Sequence, residues 1–327
     1  MKSPIENKIN NWERTVDNKY RDINLRILYL SNKLFQDYEP SSGPGPGFMD
    51  RLNNWLENID NEEEQRTLFE TIPNLFYVGR EEFNALYREA YNIIYGRWLI
   101  DQISFKPFEA NERDTLDKAI LETWFCPLTD SLRINQFYHV NNIPSKQDYR
   151  PDWRSLVKFG SEKKLNAYIK EHKIKRIVLL EDFIGNGGQV SKAVEFAAKS
   201  FPSIPLIVIP LLLCPEGEKN AKKLALKYEN VTIRPVVSIP LSSFITPNKV
   251  KTEQEIYTKI RELIIKNYKL VSAGVEADDK IDPYGPFGWR ETGALIVMFS
   301  NTPNNSLPII HNESKTWTPL FKRHKRI

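Results

Sequence analysis

An α/β fold with a parallel sheet in the manner of Rossmann-like domains, preceded by a helical N-terminal region, is what this 327-residue sequence predicts. Three observations carry it. Short apolar runs without alternation at 177–180 and 204–213 read as buried strands, and 124–128 and 231–237 are strand-like as well. Segments of helical periodicity lie between them, at 161–172, 189–200 and 216–228, so strand and helix alternate as they do in crossover units. The first 120 residues, by contrast, carry helical spacing almost throughout.

Residues 4–36 set Ile23, Leu25, Ile27, Leu28, Leu30 and Leu34 on an apolar face with no Gly or Pro after Pro4, which predicts a helix. Residues 37–47, rich in Gly and Pro, break every regular pattern and read as a loop. Helices are expected near 48–59, 62–71, 80–104 and 111–123. The third has the strongest signal, because Phe83, Tyr87, Ala90, Ile94 and Trp98 recur at i, i+3 and i+4. The character changes at Trp124. The expected division is therefore a helical region at 1–120 and an α/β domain at 121–327. The first strand of that domain ends at the polar turn Thr129-Asp130-Ser131. A helix at 252–267 and a loop at 273–292 precede a last apolar strand at 294–299, which runs into the turn-rich segment 300–308. Ligands of open α/β sheets sit at such strand ends.

Composition excludes some classes. At 41% hydrophobic and 27% charged, the chain can build a core, and no apolar run approaches the roughly 20 residues that span a bilayer. No membrane association is expected. The first residues lack the apolar stretch of a signal peptide. Cys126 and Cys214 sit in apolar runs and read as buried free thiols, which fits a cytoplasmic location. Residues 1–150 carry 18 basic and 24 acidic residues, whereas 151–327 carry 28 and 18. A basic half suits a phosphate ligand and also admits nucleic acid, although Lys-rich solvated helices explain the charge equally. The basic tail at 321–327 carries the same two readings.

That basic half contains the segment with the most chemistry. The apolar run Ile177–Leu180 leads into Glu181 and Asp182, then Phe183-Ile184, then Gly185-Asn186-Gly187-Gly188-Gln189, which opens a helix. Amides at the start of such a helix are aimed at an anion. Two carboxylates immediately before the loop suit sugar hydroxyls or a magnesium ion. A dinucleotide loop wants a third glycine where Val190 stands, and a phosphate-binding Gly-Lys-Ser/Thr is missing. A methyltransferase that uses S-adenosylmethionine shares the acid-x-Phe-x-Gly-x-Gly pattern. Its ribose-binding acid on the next strand is missing, and Asp282-Pro-Tyr284 is a poor substitute for its later motif.

The segment 178–189 resembles the PRPP-binding motif of type I phosphoribosyltransferases. The resemblance implies that Glu181 and Asp182 hold the ribose hydroxyls and that 185–189 hold the 5-phosphate. It also implies that magnesium enters with the pyrophosphate and that a bond at C1′ is made or broken. This chain has Gly185, Asn186 and Gln189 where many members carry Thr or Asp, so it lacks the hydroxyls that grip phosphate. More widely, Glu81-x-x-x-Ala-Leu-Tyr-Arg88 with Arg97-Trp98, the loop, Asn301-Thr-Pro-Asn-Asn-Ser-Leu-Pro308 and Trp317-x-Pro-Leu-Phe321 are similar to divergent phosphoribosyltransferase-like proteins of bacterial anti-phage systems, including those of retrons. That resemblance implies a defence role with a protein partner.

Asp130 and Ser131 are candidates for pyrophosphate contact, and Asn301, Thr302, Asn304 and Asn305 for lining the cleft. Turn geometry explains both groups as well. An enzyme acting at C1′ and a non-catalytic regulator sensing a nucleotide remain open alternatives, with a methyltransferase behind them.

Overall fold

The chain divides into two units, one built from Met1–Glu82 and Leu241–Ile327, the other from the continuous segment Phe83–Pro240. The expected boundary at residue 120 falls inside the second unit. The structure, a computed structural model, describes residues 3–41, 45–103, 105–108, 111–143, 162–249, 251, 253–273 and 284–324. The middle of the 37–47 loop, residues 274–283 of the 273–292 loop with Asp282, the end of the basic tail and the Gln189 side chain lie outside the described residues.

In chain order the first unit supplies α1 (Pro4–Thr15), α2 (Lys19–Lys33), α3 (Phe48–Leu56), α4 (Glu62–Thr71) and β1 (Phe76–Val78). Helix α5 (Arg80–Glu89) passes through a π-helical turn, Ala90–Tyr95, into α6 (Gly96–Ile103). The second unit continues with α7 (Glu112–Leu121), β2 (Thr123–Pro127), α8 (Ile134–Val140), α9 (Glu162–Glu171), β3 (Arg176–Ile184), α10 (Gly188–Ser200), β4 (Leu206–Leu213), α11 (Pro215–Lys227), β5 (Val231–Ile233) and β6 (Val237–Ser238). The first unit resumes with α12 (Glu255–Val271), β7 (Tyr284–Gly285), β8 (Gly288–Trp289), β9 (Ile296–Met298) and α13 (Pro308–His311).

The second unit holds the parallel sheet, in the order β2-β3-β4-β5 with β6 also on β4. Every residue of β2 and β4 is buried, as the unbroken apolar runs require. Alternation along β2 sends Trp124 and Cys126 to one face, where they join Ile177, Leu179, Val194, Ala197, Val208 and Leu224. Phe125 goes to the other face and meets Tyr95 at 4.8 Å and Phe137 at 5.7 Å between ring centres. Helices therefore cover both faces. Each fully buried aliphatic or Phe side chain contributes about 1.5–3 kcal/mol, so this core sets the sheet and hence the strand ends. Cys126 and Cys214 are both buried thiols.

Three expectations are corrected. The helix expected at 4–36 breaks after Thr15, where the Asp17 carboxylate accepts from the Lys19 amide at 2.8 Å and starts a second helix without any Gly or Pro. The strand expected at 231–237 splits into β5 and β6, because Pro210 on β4 and Pro235 between the two lack ladder N–H groups. The last apolar strand, β9, does not join the large sheet. It pairs in parallel with β1 inside the first unit, Phe76 opposite Ile296. Sequence reading had placed no strand at β1, whose three residues are too few to show a period.

In the first unit, Phe321 packs edge-on against Phe35 at 5.2 Å and Tyr38 at 5.2 Å, and Trp55 donates from Nε1 to the Ile309 carbonyl at 2.8 Å. The N-terminal helices and the C-terminal segment thus share one core. Among the described residues, no helix is long and apolar enough to cross a membrane.

Candidate functional site

Strand β3 runs through the acid pair and ends at Ile184, so Glu181 and Asp182 lie inside the strand, where sequence reading had put them just after it. The pairing of β2 with β3 ends at Pro127 opposite Leu180. From Glu181 onward, β3 is thus flanked by β4 on one side and by the turn after β2 on the other. That turn wraps the acids. Thr129 donates from Oγ1 to Glu181 Oε1 at 2.7 Å, and Ser131 from Oγ to Asp182 Oδ1 at 2.8 Å. The two hydroxyls are 2.6 Å apart. Glu181 and Asp182 are buried, 4% and 3% exposed.

Three contacts of this length need three hydrogens, and two hydroxyls carry only two. With both acids charged, the hydroxyls donate outward and nothing lies between them. A proton on Glu181 supplies the third hydrogen. The electrostatics agree. Burial, then the neighbouring Asp182, push the Glu181 carboxyl well above the usual range, with Thr129 opposing and Asp130 adding a smaller push. Burial and the Asp182 charge also raise the Tyr87 phenol.

A stability consequence follows. Burial makes the folded state hold the Glu181 proton to a higher pH than the unfolded chain, which releases it near the ordinary glutamate value, about 4.3. Stability should therefore fall as pH rises from that value toward the folded one, and level off beyond it. Glu181→Gln should remove this slope. Urea midpoints of both proteins between pH 4 and 8 check it, and parallel curves would refute it.

After Ile184 the chain turns through Gly185, Asn186 and Gly187 into α10. Gly187 caps the helix at φ 81°, in the left-handed region where a Cβ is strained. The Asn186 side-chain oxygen accepts from the Gly188 amide at 3.1 Å. None of the amides of Gly185, Asn186 and Gly187 donates a hydrogen bond among the described residues. Two buried side-chain atoms in this region also lack partners, Glu181 Oε2 and Asn186 Nδ2.

The structure thus gathers Ser131, Glu181, Asp182 and the loop Gly185–Gly188 at the carboxyl ends of β2 and β3, with exposed Asp130 in the turn between Thr129 and Ser131. Gln189 contributes its backbone to the first turn of α10. Asn301, Thr302, Asn304 and Asn305 belong to the other unit, where their side chains hold turns. Asn301 Oδ1 accepts from the amides of Thr302 and His324, both at 3.0 Å, and Thr302 is fully buried with its hydroxyl 2.8 Å from that of Tyr38. Asn304 donates to the Tyr284 hydroxyl at 3.0 Å and Asn305 to that of Thr292 at 2.9 Å. Trp289 stands edge-on to Tyr284 at 5.0 Å. Sequence reading took Thr129 with Asp130 and Ser131 as a turn or a pyrophosphate-contacting loop and did not foresee its bond to Glu181.

A family model described as PRTase-CE matches residues 52–323. No curated protein and no solved structure matches the chain.

Proposed function

Since the chain belongs to the PRTase-CE family of phosphoribosyltransferase-like proteins, we propose that it binds a 5-phosphoribosyl group, as PRPP or within a nucleotide, and acts at C1′. The observation that carries this is the pair of buried atoms without a partner among the described residues, Glu181 Oε2 and Asn186 Nδ2, together with the three loop amides that donate to none of them. A buried polar group without a partner costs about 1–3 kcal/mol. Sugar hydroxyls and phosphate oxygens relieve both kinds, an acceptor on the strand and donors on the loop. In this reading Asp182 and Glu181 hold the ribose, and Gly185 to Gln189 hold the 5-phosphate. At C1′ the bond to the leaving group breaks with its electron pair, and an acceptor lone pair forms the new bond. Catalysis is then positioning and charge stabilisation.

Magnesium, in this proposal, enters with the ligand's pyrophosphate. One oxygen of each carboxylate is engaged by a hydroxyl, and burial disfavours charge on Glu181, which weakens the pair as ligands to a resident ion. Among the described residues no group of three or more His, Cys, Asp or Glu is gathered for a metal. A second reading, a nucleotide sensor without turnover, is favoured by the loop's lack of hydroxyls at 185–189. The proposed setting is anti-phage defence beside a protein partner, with nucleic acid as a further candidate partner for the basic half. That setting rests on the sequence resemblance.

Calorimetric titration with PRPP, ribose 5-phosphate and ribose tests the ligand class. Binding that requires the 5-phosphate is the expected result, and no heat with any phosphoribosyl compound would sink the proposal. Mass spectrometry of nucleotides incubated with the protein separates enzyme from sensor.

A further inference from the structure

Helix α11 is bonded to the glycine loop from behind. The Cys214 amide donates to the Ile184 carbonyl at 2.9 Å, the Gly217 amide to the Gly185 carbonyl at 2.9 Å, and Asn220 Nδ2 to the Asn186 carbonyl at 2.7 Å. Three successive loop carbonyls are thereby held by residues three apart along one helix. The first two donors are amides at the start of α11, which have no partner within their own helix.

Trans-planar peptide geometry gives this a consequence. In each peptide the C=O of one residue and the N–H of the next point in opposite directions. The loop contains no cis bond. Carbonyls of 184, 185 and 186 turned toward α11 therefore turn the amides of Gly185, Asn186 and Gly187 away from it, and these are the three amides without partners.

The fit is close. A Cβ on Gly217 would lie 2.8 Å from the Gly185 carbonyl oxygen and 2.9 Å from Ile184 Cγ2, so only glycine lets the helix approach this far. A Cβ on Gly187 would meet Asn220 Cβ at 3.6 Å, which places the Asn220 stem directly under the loop.

We infer that Asn220, with Gly217 beside it, is a positioning residue: it fixes the loop so that its amides face a bound phosphate, and contacts no ligand itself. This rests on the phosphoribosyl reading for the identity of the anion, but not for the clamp. The Asn220 side chain supplies the third tether, the one nearest the start of α10. Without it the Asn186–Gly187 peptide is free to rotate, and the third amide leaves the set.

The test compares Asn220→Ala and Asn220→Asp with the exposed α11 control Lys223→Ala. Asn220→Asp keeps the shape and replaces the donor by an acceptor facing a carbonyl. Two quantities are read: hydrogen exchange of segment 182–190 in the unliganded protein, and affinity for ribose 5-phosphate by calorimetry. Faster exchange confined to 182–190 is expected in both variants, more so in Asn220→Asp, with β4 unchanged. Affinity should fall about tenfold, as for one lost hydrogen-bond partner. If the wild-type protein binds neither ribose 5-phosphate nor PRPP, the phosphoribosyl reading fails and the exchange arm alone decides the inference; if only PRPP binds, PRPP is the ligand titrated. Exchange at 182–190 that is unchanged in Asn220→Asp overturns it. So does an affinity that matches the Lys223→Ala control.

Discussion

Asp182→Asn should lower affinity for a phosphoribosyl ligand by about tenfold to a hundredfold while leaving the protein folded. Asparagine has the shape of aspartate, and its Oδ1 still accepts from Ser131, which bonds Asp182 at 2.8 Å. What is lost is the charge. Hydrogen bonds to a charged group contribute about 1.5–3 kcal/mol each, against about 1 for neutral pairs. A buried carboxylate at 3% exposure has little solvent to soften that difference. Removing the charge also relieves Glu181, whose carboxyl Asp182 pushes upward. The melting temperature at neutral pH should therefore hold or rise. Calorimetry and thermal unfolding of the same sample separate the two effects. Unchanged affinity would remove Asp182 from the site, and a collapse in melting temperature would make its role structural.

The largest stability effect should come from the other unit. Glu253→Ala is expected to destabilise it by about 3–5 kcal/mol, the cost of stranding a buried charge. Arg261 forks onto Glu253 with contacts of 2.7 and 2.5 Å, and its Nε donates to the Thr246 carbonyl at 2.7 Å. The two side chains are only 8% and 5% exposed. Alanine leaves the guanidinium without its counter-charge. The double replacement Glu253→Leu with Arg261→Met should recover most of the loss, because a buried ion pair compares poorly with well-packed apolar groups. Denaturant unfolding of the three proteins checks this. A single-variant cost under about 1 kcal/mol, the range of exposed pairs, would refute it.

Sequence was informative where a long period or a short, chemically dense motif was present. Strands β3 and β4 and helices α10 and α11 follow from unbroken apolar runs and helical spacing. The acid pair and glycine loop were visible as a local word. Three things were illegible. The split of β5 from β6 rests on Pro235, which is visible locally, and on Pro210 of the neighbouring strand, which local reading of 231–237 cannot show. Strand β9 is apolar enough for any sheet, and its partner β1 has too few residues to announce itself. Asn220 lies more than 30 residues beyond the loop it holds, |i−j| = 34, on a helix whose other residues give no reason to single it out. Thr302 and Asn301 show the opposite case, polar turn residues whose hydroxyl and amide are taken up by structural partners, Tyr38 for Thr302 and the Thr302 and His324 amides for Asn301.

The interrupted arrangement of the first unit has a consequence for how the protein comes into being. Residues 83–240 are continuous, so the sheet with its acid pair and loop has all its own residues once that stretch has left the ribosome. The other unit must wait. Trp55 meets Ile309 across 254 positions of chain, and β1 meets β9 only when the C-terminal part is made. Chains fold as domains during synthesis, from the N-terminus onward, and distant pairings are the slowest to form. A nascent chain stopped near residue 240 therefore carries all the residues of the sheet, acid pair and glycine loop, together with N-terminal helices whose apolar faces still lack their partners.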